Sequence, residues 1–193
     1  MKIVFATNNQ SKLKEVREII PIGIEILSLK DIGFFDEIKE TGTSYEENAQ
    51  IKTKYISNKY SIDCFADDSG LEVPCLNGAP GIYSARFAGT PKNDINNIKK
   101  LKEKLKKKTK PLAYFKTVIS LNINKENIFF KGKIKGYISK ETKGINGFGY
   151  DPIFIPDGYD KTFGEISSKI KNKISHRAIA IRKLVEFFKN NFF

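Results

Sequence analysis

The sequence predicts a mixed α/β fold, either α/β or α+β, with helices and strands interleaved around a mixed sheet. Three observations carry that prediction. Short apolar runs at 2–6, 24–29 and 62–66 read as buried strands. Segments with helical spacing of apolar residues lie between and after them. Residues 112–124 and 127–138 alternate well enough to read as an antiparallel pair.

The elements follow in order. Lys2 to Ala6 is the first strand and runs into Thr7-Asn8-Asn9-Gln10-Ser11-Lys12. A helix then extends to about Ile20, with Leu13, Val16 and Ile20 on one face and Pro21 beyond its end. Ile24 to Leu29 is the second strand. Ser44 and Glu47 have the spacing of a capping box, so a helix runs from Ser44 to about Lys59. Ile62 to Ala66 is the third strand, and Asp67 to Gly89 reads as turn-rich. Thr90-Pro91 opens a helix that turns Ile95, Ile98, Leu101 and Leu105 inward and leaves lysines on its wet face and end. The paired strands turn around Asn124-Lys125-Glu126. A glycine-rich loop at 144–151 leads to a short strand, Ile153 to Ile155. The last helix starts near Ser175, with Ile181, Leu184, Val185 and Phe188 on one stripe.

Composition narrows the function. The 193 residues fit one domain, or two lobes sharing one core. Hydrophobic residues at 40% and charged residues at 29% exclude wholesale disorder. No apolar run reaches the ~18 residues that span a bilayer, and MKIVFATNNQ turns polar too early for a signal peptide, so no membrane partner is expected. Cys64 and Cys75 cannot build a disulfide framework or a four-thiolate zinc site, and His176 is the only histidine. A reducing, cytoplasmic setting is expected, and any metal must be held by oxygen, which favours magnesium, manganese or calcium. The net charge is +12, but only four of the 34 basic residues are arginine. Scattered lysines read as solvated faces, so no nucleic-acid partner is expected. The positive field still suits a polyanionic small molecule such as a nucleotide triphosphate.

Five segments can carry chemistry. Thr7 to Lys12 joins a strand to a helix N-terminus, where free N–H groups and a lysine favour an anion; a plain capped turn is the alternative. Asp67-Asp68-Ser69-Gly70, at the end of the third strand, offers carboxylates for a divalent cation or closes an Asx-rich turn on Gly70. Glu40 lies in the loop before a helix carrying Glu46, Glu47, Asn48 and Lys52, where Glu47 has a competing capping role. Gly147-Phe148-Gly149-Tyr150-Asp151-Pro152 lets backbone approach a flat ligand with Phe148 stacking on a base, or packs both aromatics into the core. Lys171 with Ser175-His176-Arg177 gathers donors at a helix start, or is a Ser cap followed by surface charge.

Taken together and in this order, the strings IVFATNNQSKLKEV, ETGTSYEENAQIK, FADDSGLEV with GAPGIYSARFAG, GFGYDPIFIPDGYDKTFGEIS and KNKISHRAIAI resemble the inosine triphosphate pyrophosphatase family. The resemblance covers nearly the whole chain. It implies an elongated two-lobed molecule around a long central mixed sheet with flanking helices. Residues 1–193 would form a single catalytic domain, its lobes enclosing one nucleotide cleft, and the protein would be a homodimer. It implies hydrolysis of ITP, dITP and XTP to the monophosphate and pyrophosphate, with Mg²⁺ as cofactor and Mn²⁺ as substitute. Two departures are mild: Asn8 stands where many relatives have Gly, and Tyr45 replaces a frequent Phe.

On that basis Glu40 and Asp68 hold the metal, and Asp68 is the catalytic residue that orients or deprotonates the attacking water, with Asp67 behind it. Thr7, Asn8, Asn9, Gln10, Ser11, Lys12, Lys52 and Ser69 bind the phosphates. Phe148, Gly149, Tyr150 and Asp151 shape the base site. Donors from Lys171, His176 and Arg177 match a 6-oxo purine and oppose the 6-amino group of adenine. A pyrophosphatase for modified pyrimidine nucleotides and a non-catalytic nucleic-acid-binding protein are the rival readings.

Overall fold

The computed structural model describes residues 1–192. In chain order the elements are β1 (Lys2–Phe5), α1 (Gln10–Ile19), β2 (Glu25–Leu27), α2 (Tyr45–Tyr60), β3 (Cys64–Glu72), α3 (Asp94–Leu105), β4 (Leu112–Ile123), β5 (Glu126–Ile138), β6 (Phe154–Pro156), α4 (Ser168–Ile174) and α5 (His176–Phe192). The strands form a six-stranded mixed sheet in the order β2-β1-β3-β4-β5-β6. β1 is parallel to both β2 and β3, whereas β5 and β6 are antiparallel. The mixed α/β expectation holds.

The chain folds into two compact units. The first takes Met1–Asp68, Thr117–Gly132 and the chain from Arg177 onward; the second takes Ser69–Lys116 and Lys133–His176. In the first unit β1 alternates, as a strand buried on both faces must. Ile3 and Phe5 pack with Leu13 and Val16 of α1 and with Ile181, Leu184 and Phe188 of α5. Val4 and Ala6 pack on the opposite side with Ile56 of α2. The register sets Phe5 beside Phe65, and their rings stack at 4.6 Å. The second unit has its own core of Leu71, Leu101, Phe115, Phe154 and Phe163 with their neighbours. No helix among the described residues is long and apolar enough to cross a membrane.

Several boundaries differ from the sequence reading. β3 does not stop at Ala66 but continues through Asp67-Asp68-Ser69-Gly70 to Glu72, because both carboxylates find buried partners in place of water. The turn-rich stretch is therefore shorter and holds two 3₁₀ turns, Pro74–Leu76 and Gly81–Arg86. Thr90-Pro91 does not open α3. Asn93 caps it, its side chain accepting from the Asn96 N–H, and this phase leaves Ile95 77% exposed. β2 is only Glu25–Leu27, and β6 starts at Phe154 after a 3₁₀ turn over Asp151–Ile153. A further helix, α4, precedes the last one; Ser175 ends it directly before α5, and the His176 and Arg177 side chains that follow are buried, not surface. The β4–β5 turn is as expected, with Asn124 and Lys125 both at positive φ, the signature of a two-residue hairpin loop.

The two cysteines test this packing. Cys64 is buried in β3, where burial pushes its thiol up to about 12, while Cys75 is exposed. A disulfide-exchange reagent at pH 8 is expected to titrate one thiol in the folded protein and the second only after unfolding. Rapid reaction of both in the native state would contradict the burial of β3.

Candidate active site

β1 has a parallel neighbour on each side, reached through helices, so the chain reverses its direction of winding at the carboxyl end of β1. In open α/β sheets ligands bind at such a switch point. The segment leaving β1 there is built as a helix start. Thr7 Oγ1 accepts from the Asn9 N–H at 3.2 Å, and Asn9 caps α1 by accepting from the Lys12 N–H at 3.1 Å. Asn8 donates its side-chain amide to the Asp36 carbonyl at 3.0 Å, and Gln10 and Ser11 are exposed. The first turn of α1 carries no acidic side chain.

That start brings Lys12 onto β3. Its Nζ donates to Asp67 Oδ1 at 3.0 Å, and Arg177 Nε donates to Asp67 Oδ2 at 3.3 Å. Arg177 also pairs with Glu15 through Nη1. Asp67 and Arg177 are 1% and 2% exposed, so this is a buried charge chain. Burial alone would raise Asp67, but Lys12, Arg177 and Lys52 overcome it and hold the carboxyl well below the usual carboxylate range. Lys12 is lowered, first by its own burial.

The adjacent carboxylate has different surroundings, because neighbouring residues of a strand face opposite ways. Asp68 Oδ2 accepts from Asn48 Nδ2 at 3.1 Å, and Asn48 Oδ1 accepts from the Gly42 N–H at 2.9 Å. Asn48 thus ties the loop after Glu40 to β3. Gly42 is required there, since a Cβ would come within 2.6 Å of the Glu47 Cβ. Lys52 Nζ donates to the Asp67 carbonyl at 2.7 Å and to Glu40 Oε1 at 2.5 Å. Burial raises the Asp68 carboxyl; Lys52 and Lys12 oppose that rise and the Glu40 charge adds to it. Glu47 is committed elsewhere, accepting from Thr43 N–H and Oγ1 at 2.6 and 3.0 Å while Ser44 caps α2.

The second unit holds the glycine-rich loop. Phe148 is half-buried, with Lys171 Nζ 5.1 Å from its ring centroid. Asp151 Oδ2 accepts from the Phe148 N–H at 2.7 Å and from Lys171 Nζ at 2.5 Å. The Gly149 N–H goes to Asp94 Oδ2 at 2.8 Å. Tyr150 is core, 3% exposed, and its hydroxyl donates to the Ser84 carbonyl at 2.9 Å. His176 stacks on Phe115 with centroids 4.6 Å apart and planes 8° apart. Ser69 is half-buried in β3.

A sequence model described as the Ham1 family matches residues 3–187. The chain belongs to the Ham1 family. It is similar to the dITP/XTP pyrophosphatase of Christiangramia forsetii, 52% identical over 187 residues, which is 97% of this chain and 98% of that one. The dITP/XTP pyrophosphatase of Bacillus subtilis is 45% identical over 185 residues, 94% and 93% of the two chains. Among solved structures, the Ham1 protein of Staphylococcus aureus superposes with a TM-score of 0.87 at 43% identity, covering 98% of this chain and 99% of that one.

In this Ham1 chain the first unit brings together Lys12, Glu40, Lys52, Asp67, Asp68 and Arg177. The second brings together Phe148, Gly149, Asp151 and Lys171. Arg177, one of the three expected donors, is joined to Asp67 and Glu15. Sequence reasoning gave no role to Glu15 or Asn48. Their signal was helical spacing, Glu15 three residues after Lys12 and Asn48 four before Lys52, which sets each on the same face as a lysine.

The donor set fits a hard divalent ion. Among the described residues no group of three or more His, Cys, Asp or Glu side chains is arranged to hold a metal. Magnesium is commonly held by one or two carboxylates together with substrate phosphates, which Glu40 and Asp68 can supply.

Proposed function

We propose that this Ham1 protein hydrolyses deaminated purine nucleoside triphosphates, dITP, ITP and XTP, to the monophosphate and pyrophosphate. The observation that carries the reading is the group of Lys12, Lys52, Glu40 and Asp68 gathered at the carboxyl end of β1, with Lys52 and Asp68 buried and Lys12 and Glu40 half-buried. Two ammonium groups stand ready for phosphate oxygens, with a carboxylate of raised proton affinity beside them. The names of the relatives support the choice of substrate.

In the reaction, water attacks the α-phosphorus. The new O–P bond forms as the bond from the α-phosphorus to the bridging oxygen breaks, and pyrophosphate leaves with that electron pair. Asp68 orients the water and takes its proton; a carboxylate raised by burial is a better acceptor than a solvated one. Lys12, Lys52 and the amides at the start of α1 hold the negative charge that develops on the phosphate oxygens. Glu40 and Asp68 would hold Mg²⁺, or Mn²⁺ in its place, which when bound neutralises phosphate charge beside the carboxylates. For the base, Phe148 supplies a stacking face, and Lys171 and His176 supply donors for a 6-oxo group. A donor left unpaired against adenine costs ~1–3 kcal/mol, so two such donors separate dITP from ATP by roughly two orders of magnitude or more.

The test is pyrophosphate release from dITP, ITP, XTP, ATP and GTP, each with Mg²⁺ and with a chelator. Turnover of the first three, weak turnover of ATP and loss of all activity with the chelator are expected, whereas GTP shares the 6-oxo group and is not separated by these donors. Equal rates on dITP and ATP would overturn the substrate assignment.

A further inference from the structure

Helix α3 presents two polar side chains three residues apart, and both are spent on backbone. Asn97, 2% exposed, donates to the Ala85 carbonyl at 3.0 Å and accepts from the Ala88 N–H at 2.7 Å. Asp94, one turn earlier, accepts from the Gly149 N–H at 2.8 Å. The preceding amide, that of Phe148, is held by Asp151. Two successive N–H groups of the loop are therefore fixed by carboxylates from different elements. The loop needs such fixing: Gly147 and Gly149 stand at φ +76° and +61°, where glycine has most freedom to lose. A Cβ on Gly147 would also run into the Asp151 carboxylate. On the far side, the Tyr150 hydroxyl bonds Ser84, which lies in the 3₁₀ turn next to the carbonyl held by Asn97.

We propose that Asp94 is a positioning residue for the nucleobase, acting through the Gly149 amide to fix the plane of the Phe148 ring. This rests on the reading that Phe148 stacks on the base. Asp151 cannot do the work alone, because the oxygen that holds the Phe148 amide also holds Lys171 Nζ. When Lys171 turns toward a 6-oxo group, that oxygen's surroundings change, whereas the Asp94 carboxylate holds the Gly149 amide through an oxygen that is not shared with Lys171. An acidic residue in the first turn also suits the helix dipole, and a role confined to helix stability predicts something different.

The experiment compares Asp94→Ala and Asp94→Asn by steady-state kinetics on dITP and by thermal unfolding. A second arm places Phe148→Trp in this tryptophan-free chain and reads indole anisotropy without nucleotide. Asp94→Ala is expected to raise KM about tenfold, the effect of one amide left without its acceptor, with kcat within about twofold. Asp94→Asn, whose carbonyl still accepts, should restore most of KM. Adding Asp94→Ala to the Phe148→Trp chain should lower the anisotropy. KM unchanged in Asp94→Ala, no rescue by Asn, or an unchanged anisotropy would each overturn the proposal. Failure of the unsubstituted protein to hydrolyse dITP would instead overturn the proposed activity, and the anisotropy would still report whether Asp94 orders the loop.

Discussion

Asp68→Asn is expected to leave a folded protein whose pyrophosphate release from dITP falls by roughly 10²–10⁴-fold, the range typical for loss of a positioned acid–base group. The substitution is nearly isosteric. The Asn carbonyl can still accept from Asn48 Nδ2, so the tie from β3 to the loop after Glu40 survives. What is lost is the charge and the proton acceptor. Stability should move the other way. A carboxyl whose folded value is raised binds its proton more tightly when folded, so its contribution to stability falls as pH rises through that value. Removing it at pH 8 should leave the melting temperature unchanged or higher. The same shift sets the acid limb of kcat/KM for the unsubstituted enzyme. That parameter reports the free protein, so it should begin to fall at a pH above the ordinary Asp value of about 3.9. Near-normal turnover by Asp68→Asn would remove Asp68 from the chemistry; an activity loss accompanied by unfolding would assign it to the fold.

Much of this arrangement is legible in the sequence, and what is not has a physical reason. Strands β1, β4 and β5 and helices α1 and α2 follow from periodicity and from the Ser44 cap of α2, because apolar faces and a capping box are local signals. β3 beyond Ala66 is not, since a strand carrying two adjacent aspartates is stable only if distant residues neutralise them. Those residues, Lys12, Asn48 and Arg177, lie 55, 20 and 110 positions away from the aspartates they bind. The same limit applies at the candidate site. Family strings bring Arg177 to notice beside His176, but which carboxylate it meets is a tertiary fact, and the answer is Asp67 and Glu15. Tyr150 shows the converse: its place in a glycine-rich string suggests ligand contact, yet it is a core residue whose hydroxyl is used internally. Asp94 at a helix start looks like an ordinary first-turn acid until the loop it holds is seen.

Asp67→Ala should be the most damaging single change to stability, by about 3–5 kcal/mol at pH 7, the usual result of removing one member of a buried ion group. Lys12 Nζ and Arg177 Nε each donate to one of its oxygens, and the carboxylate is 1% exposed. Truncation removes the carboxylate that Lys12 and Arg177 share, in a space that water must enter or leave empty. For a chain of this size each kcal/mol moves the melting temperature by about 2–4 °C, so a fall of roughly 10 °C or more is expected. The pH dependence identifies the cause. A carboxyl held below its unfolded value stabilises the fold above that value, near 4, and the contribution is lost as pH falls through the folded value. The gap between the two proteins should therefore be widest at neutral pH and narrow below pH ~4 as the unfolded-state carboxyl takes up its proton. A cavity effect alone would give a gap that does not vary with pH. Thermal melts of both proteins from pH 3.5 to 8 separate the two, and a constant gap, or one under 2 °C at pH 7, would show that Asp67 is not the hub that holds Lys12 and Arg177 in place.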